Sequence, residues 1–304
     1  MDNLKQQVLE AATLYYKDNM TQQSIADKLG ITRQTVSKLL KIAVEENIVE
    51  IKIHEPQKQT EELEKELTKK LGVTVLVGDT TNGDELLRRK ATVREACNYI
   101  TKCVKDGNKK IGLAWGKTVQ EIIKDIEPIK TQNNLVFPLV GATSKDVACY
   151  YSNKLVSDFA SKIGAEVTYA MFPNYVSDRD CTLIKKTQLF KDISDLWKKA
   201  DIAVVGIGDI TAVNDLRASF DKKAVNADFV GDLVTHVFDK NGNVLKTKQD
   251  SLCVPFIDVK NIKNTIAVAC GTPKVEPIIS ACKTGAVNVL ITDAYTAKEI
   301  LEKF

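Results

Sequence analysis

The chain has 304 residues, 44% hydrophobic and 27% charged, which fits an ordinary globular protein of about two domains. Its net charge of +3 does not announce a nucleic-acid partner, so any basic patch must be local. No apolar run reaches the roughly 18 residues of a membrane-spanning helix, and MDNLKQQVLE lacks the charged-then-apolar pattern of an export signal. The seven cysteines form no CxxC pair, and only two histidines could join them. They read as reduced, packed thiols of a cytoplasmic protein, with no metal site expected.

Residues 1–55 read as a compact helical domain. Val8, Ala11, Ala12 and Tyr15 mark one face of a first helix. Thr21 is placed to cap a second helix, Gln22–Leu29, with Ile25, Ala26 and Leu29 inward. Gly30 ends it as a left-handed residue would, and Ile31 fills the turn. Thr32 then caps a third helix, Arg33 to about Glu46, with Val36, Leu39, Leu40 and Ala43 as its apolar stripe. Three helices with a tight glycine turn before the last make a helix-turn-helix. That arrangement puts the start of the last helix into the major groove.

The candidate DNA-binding residues are Thr32, Arg33, Gln34, Thr35, Ser37, Lys38 and Lys41. Arg and Gln can make bidentate contacts to guanine and adenine edges, and the hydroxyls and lysines can hold phosphates. From Lys17 to Lys41 there are five cations and two acids, and residues 33–44 contain no acid. After Asn47, IVEIKI alternates as a short wing strand would.

Residues 56–71 predict an amphipathic helix carrying Leu63, Leu67 and Leu71. It reads equally well as a linker packed on itself or on a partner chain, or as a capping helix of the next domain. Residues 72–304 form the second domain. Candidate strands are VTVLV, KIGLAW, LVFPLV, AEVTYAMF, DIAVVGIG, NTIAVAC and VNVLIT. Helical runs lie between most of them, at Glu85–Lys105, Thr118–Ile126, Asp146–Ile163 and Lys274–Lys283. Apolar strands alternating with helices predict an α/β fold with a largely parallel sheet covered on both faces. Within VTHVFDKNGNVLKT, Asn241–Gly242 predicts a β-hairpin.

Three strands run into glycine-bearing loops that lead to helices: AWGKTV, VGATSKD and CGTPKVE. Ligands bind at the C-terminal ends of parallel strands, where glycine permits close approach and helix N-termini offer N–H groups to anions. The candidates are Gly116, Lys117 and Thr118, then Gly141, Ala142 and Thr143, then Gly271, Thr272 and Lys274. Lys117 and Lys274 add charge for a phosphate. Trp115 reads as a core side chain, and Cys149, Cys270 and Cys282 as packed thiols.

The segment LYYKDNMTQQSIADKLGITRQTVSKLLKIAVEENIVEIKI resembles the N-terminal region of the SorC family of bacterial transcriptional regulators. GLAWGKTV, PLVGAT, ADIAVVGIGD, VGDLVTHVFDKNG and ACGTPKVEPIISACKTGAVNVLITDAYTAKEIL extend the likeness, in family order, over nearly the whole chain. The resemblance implies an effector domain similar to sugar-phosphate isomerases and deaminases, a phosphorylated sugar as effector, and tetramers on operator DNA. By this resemblance Gly116 and Thr118 match a W-G-x-T element, Gly141 to Thr143 a glycine-rich loop, and Lys274 the lysine of G-G-x-x-K. Cys270 stands in place of that motif's first glycine. Asp232 matches an acidic position expected to accept sugar hydroxyls; its plainer reading is a carboxylate at a helix N-terminus.

Two departures bear on the effector. His236 stands where many members carry Arg, which implies a weaker or different phosphate clamp. Val140 stands where some carry a Schiff-base Lys, so no covalent adduct is expected, and Lys145 reads as solvent-facing. The expected function is a DNA-binding regulator of a carbohydrate or nucleoside catabolic operon. It would act as a homo-oligomer (dimer or tetramer), with operator DNA and a sugar or sugar phosphate as partners, no cofactor and no membrane. The alternative is an isomerase- or deaminase-like enzyme with an appended DNA-binding module. Two histidines, and no compact Asp/His/Glu constellation in the loops, speak against catalysis.

Overall fold

The computed structural model describes residues 3–50, 58–80, 84–142, 152–209, 229–246 and 251–304. The chain divides into two compact units, Met1–Pro56 and Gln57–Phe304.

The first unit contains α1 (Asn3–Tyr16), α2 (Gln22–Leu29) and α3 (Arg33–Glu45). The Thr21 hydroxyl accepts the Ser24 N–H at 3.1 Å, and the Thr32 hydroxyl accepts the Thr35 N–H at 3.1 Å. Each cap satisfies a donor that the first helical turn leaves without a partner. Gly30 takes φ 66°, a left-handed turn that lets α3 fold back. Val8, Ala11, Ala12, Ile25, Val36 and Leu39 form the core. Residues 48–50 carry no strand, and the rest of the expected wing lies outside the described residues.

The second unit opens with α4 (Lys58–Leu71) and continues through β1 (Thr74–Gly78), α5 (Glu85–Val104), β2 (Lys110–Leu113), α6 (Lys117–Asp125) and β3 (Leu135–Pro138). Then come α7 (Ser152–Ile163), β4 (Glu166–Val167), α8 (Asp178–Ile184), α9 (Gln188–Trp197), β5 (Ile202–Asp209), β6 (Phe229–Leu233) and β7 (His236–Asp239). The last elements are α10 (Phe256–Asn261), β8 (Asn264–Val268), a 3-10 turn at Thr272–Lys274, α11 (Val275–Lys283), β9 (Val289–Asp293) and α12 (Ala294–Leu301).

Seven strands lie in the order β1-β9-β8-β5-β2-β3-β4, all parallel. One face packs on Ile100, Ile122 and Phe159 from α5, α6 and α7. The other packs on Leu67, Trp197, Ile278 and Ile300 from α4, α9, α11 and α12. The chain leaves β2 toward β3 on one side and returns to β5 on the other. The β2/β5 boundary is therefore the topological switch point, where a crevice opens beyond the strand ends.

The α4 helix packs on this sheet. Leu67 is fully buried. The Glu64 carboxylate accepts the Val77 N–H at 2.8 Å, and the Thr68 hydroxyl accepts the Val75 N–H at 3.1 Å. Those N–H groups face outward from edge strand β1, and α4 covers what would otherwise be a free pairing edge.

Two expectations change. The strand expected at AEVTYAMF is only Glu166–Val167. Beyond it the Asn153 amide pairs with both backbone groups of Ala170, at 2.9 and 3.0 Å, replacing a strand partner. Within VTHVF only His236–Phe238 is strand. The chain reverses at Val234 (φ 51°) and Thr235 (φ 71°), joining β6 to β7. The turn expected at Asn241–Gly242 follows as a second reversal, with Phe238 bridging Val244 and the Leu245 N–H donating to the Val237 carbonyl at 2.9 Å. The expected helix from Asp146 is described only from Ser152 onward.

Candidate functional site

In the first unit the outward face of α3 presents Arg33, Gln34, Thr35, Ser37, Lys38 and Lys41, all exposed, opposite the buried Val36, Leu39, Leu40 and Ala43. Thr32 is exposed too, but its hydroxyl and that of Thr35 lie 2.8 Å apart within the cap. Capping thus occupies part of their bonding capacity. Lys41 reaches Glu45 at 3.6 Å, an exposed pair too weak to withdraw it from a phosphate. Arg33 also lines a hollow with Tyr16, Gln22 and Gln23. Sequence reasoning did not single out these three, because they lie on other helices.

In the second unit the loops after β2 and β8 meet the end of β5. Gly116, before α6, has φ 114°, and Gly271, before the 3-10 turn, has φ 102°. A Cβ on Gly116 would meet nothing within 4 Å, and one on Gly271 only Pro273. These two glycines border open space, as close approach of a ligand requires. Thr118 sits over β5, since a Cβ on Gly206 would lie 3.9 Å from the Thr118 Cβ. Lys117 is exposed at the start of the same helix.

The Gly141 loop behaves differently. A Cβ on Gly141 would meet the Pro173–Asn174 backbone at 2.8 Å, so this glycine serves a close protein–protein approach. The Gly141 N–H already donates to the Leu252 carbonyl at 2.9 Å and the Ala142 N–H to the Phe172 carbonyl at 2.8 Å. Gly141 and Ala142 therefore offer no free N–H to an anion. The Gly271 N–H is likewise taken, by the Thr296 hydroxyl at 2.7 Å. Thr143, Lys145 and Cys149 lie outside the described residues.

Charge collects at the end of β5. Lys274, closing the 3-10 turn, donates from Nζ to the Ile207 carbonyl at 2.7 Å and pairs with the Asp209 carboxylate at 3.1 Å. Asp232 is a strand residue of β6, opposite Gly208, and not at a helix N-terminus. Its carboxylate fills the space where Gly208 has no side chain. Burial raises its pKa to about 6, opposed mainly by the Lys274 charge.

Beside Asp232 lies a group that the sequence did not reveal. The His236 Nε2 is 2.8 Å from the Val254 carbonyl and 3.6 Å from the Cys253 Sγ. That thiol also lies 3.0 Å from the Ser251 hydroxyl and 3.4 Å from that of Thr235. Burial opposes charge on both His236 and Cys253. Their mutual interaction, joined by the Val254 carbonyl and Asp232 at the imidazole and by the Ser251 and Thr235 hydroxyls at the thiol, outweighs it, raising the imidazole pKa and lowering that of the thiol. Asp232, His236 and Cys253 thus form a polar cluster on and beside the β6 and β7 strands. It was hidden because Ser251 and Cys253 carry no motif and are placed by the pairing of Ser251 with Tyr175 and of 252–254 with 139–141. Asp209 was legible in principle, at the end of the GIGD strand.

The remaining candidates are structural. Trp115 is half-buried against both faces of the core. Cys270 and Cys282 are thiols whose pKa burial raises, that of Cys282 to about 12. An open groove of about 780 Å³ borders Asp209 and Thr272 and runs to Phe304. Thr118, Asp232, His236 and Lys274 do not line it, so the groove adjoins the charged crevice without containing it. Among the described residues no His, Cys, Asp and Glu group is arranged to hold a metal, and no helix is long and apolar enough to cross a membrane.

Comparison with known proteins accounts for both units. Residues 55–302 match the Sugar-bind family, a sugar-binding domain, and residues 1–46 match sigma-70 region 4. The chain is 30% identical to the sorbitol operon regulator of Klebsiella pneumoniae over 97% of each chain. It is 29% identical to the deoxyribonucleoside regulator of Bacillus subtilis over 99% of each. The full-length crystal structure of the Klebsiella regulator superimposes with a TM-score of 0.80, at 27% identity and 99% coverage of both chains. A helix-turn-helix unit joined to a parallel α/β sugar-binding unit, matched along its whole length, makes this chain a member of the SorC family of transcriptional regulators.

Proposed function

We propose that the chain controls a carbohydrate or nucleoside catabolic operon as a cytoplasmic homo-oligomer, and that a phosphorylated sugar is its effector. What supports an effector site is that Thr118 lies over Gly206 of β5 while Lys274 and Asp232 stand at the end of the same strand, with Gly116 and Gly271 bordering open space. Lys274 supplies the charge for a phosphate. Thr118 and Asp232 supply a donor and an acceptor for sugar hydroxyls. The names of similar regulators, for sorbitol, deoxyribonucleosides and erythritol catabolism, support this chemical class. Effector binding changes the relative orientation of protomers, and with it the spacing of the α3 helices on DNA. Such coupling requires the effector to prefer one arrangement.

A thermal-shift screen of sugar phosphates against free sugars tests this reading, since a ligand of the folded state raises apparent stability. The hit is then titrated against the operator complex. Lys274→Ala is expected to abolish the effector response and leave DNA binding intact. A response to free sugars alone would remove the phosphate from the proposal. The Asp232–His236–Cys253 constellation favours the second reading, an isomerase or deaminase. Turnover of a sugar phosphate, lost in His236→Ala, would establish it.

A further inference from the structure

The ammonium of Lys274 is not waiting for a ligand. Its turn is anchored by the Lys274 N–H on the Gly271 carbonyl at 2.9 Å. Of its three Nζ donors, one is taken by the Ile207 carbonyl and a second by the Asp209 carboxylate. Both side chains are mostly shielded, 22% exposed for Lys274 and 16% for Asp209, so water screens the pair less than a surface ion pair. Asp209 is fixed in turn by its place in β5, where it pairs with Gly231 of β6. Asp232 stands one register step away and adds a second carboxylate to the same corner. A phosphate arriving at Lys274 therefore meets a cation already matched by an internal anion, and like charges beside it.

We propose that Asp209 is a built-in competitor for the anionic group of the effector, holding Lys274 until a phosphate displaces it. The inference rests on the effector reading above and refines it. Displacing Asp209 must be offset by other contacts. Inorganic phosphate offers only its charge, whereas a sugar phosphate also brings hydroxyls to Thr118 and Asp232. Asp209 thereby makes the site demand both ends of the effector and reject the abundant free anion, a form of specificity obtained by placing a repulsive group against the wrong ligand. Released from Lys274, the Asp209 carboxylate becomes a further acceptor for a sugar hydroxyl.

The test is calorimetric titration of the full chain with inorganic phosphate, and separately with a panel of pentose and hexose phosphates. Wild type is compared with Asp209→Asn, Asp209→Ser and Asp209→Asn/Lys274→Ala. The expected result is a Kd for inorganic phosphate about tenfold lower in both single variants, the scale of one charge-assisted contact. That gain should vanish in the double variant. Unchanged or weaker phosphate binding in the single variants, or a gain that survives loss of Lys274, overturns the proposal. The effector reading is judged separately, by the response of wild type to the sugar phosphates. Tighter phosphate binding without any such response would sustain the competitor and sink the effector.

Discussion

The two units carry their polar residues in opposite ways. In the helical unit, Arg33, Gln34, Thr35, Ser37, Lys38 and Lys41 are exposed on α3, and none belongs to the core. In the sheet unit, Thr118, Asp209, Asp232, His236 and Lys274 come from four separate stretches and are partly or wholly withdrawn from water. A surface array can be altered residue by residue, because each side chain is solvated before and after the change. A charged crevice cannot, because each group is part of its neighbours' environment. Binding and stability are separable in the first unit and coupled in the second.

The largest test of that coupling is Gly208→Ala. A methyl group there would overlap the Asp232 carboxylate, forcing strand or side chain to move. We expect a loss of about 3 kcal/mol in denaturant unfolding, the upper range for overpacking, together with loss of effector response. Gly206→Ala, two residues earlier, meets only an ordinary contact with Thr118. It should be nearly neutral in the same measurement, and equal losses at both positions would remove the special status of Asp232.

Asp232→Asn should act in the opposite direction on stability. The Asp232 pKa stands at about 6, above its ordinary 3.8, so between these values the folded chain binds more protons than the unfolded one. Stability from this group is full below about pH 4 and is lost as pH rises through about 6. We expect the variant to gain about 2 kcal/mol over wild type at pH 7.5 and nothing at pH 4, while its effector response falls. A pH-independent difference would show that burial of charge is not the cause.

For the helical unit the expectation is reversed. Arg33→Ala should weaken operator binding by about 1–3 kcal/mol if Arg33 reads a guanine, with thermal stability unchanged. Equal loss on random DNA would make it a phosphate contact. The smallest effect is expected for Thr32→Ala, which removes the α3 cap and should lower stability by about 1 kcal/mol. Its effect on DNA binding should be only that of fraying the helix start. A larger and sequence-dependent effect would return Thr32 to the reading face.

These contrasts explain what was legible beforehand. Thr21, Gly30 and Thr32 act on neighbours within four residues, so the helix-turn-helix and its outward face could be read directly. The alternation of apolar strands and helices likewise gave the parallel sheet and the glycine loops after β2 and β8. The reversal at Val234–Thr235 had no signal, because two β-branched residues at positive φ run against local preference. Such strain persists only where surrounding structure enforces it, and here it sets the Thr235 hydroxyl beside Ser251 and Cys253. Gly141 misled for a related reason: glycine marks close approach, but the chain alone does not say whether a ligand or a backbone does the approaching.

Local hydrogen bonds and hydrophobic periodicity, which span a few residues, therefore determined the helical unit, its exposed polar face and the class of the second unit. Only the tertiary structure decided that α4 seals the edge of the sheet, that Asp209 occupies Lys274, and that His236 meets Cys253. Each of those depends on which strands lie side by side, and strand order joins residues tens of positions apart through contacts that no local pattern encodes.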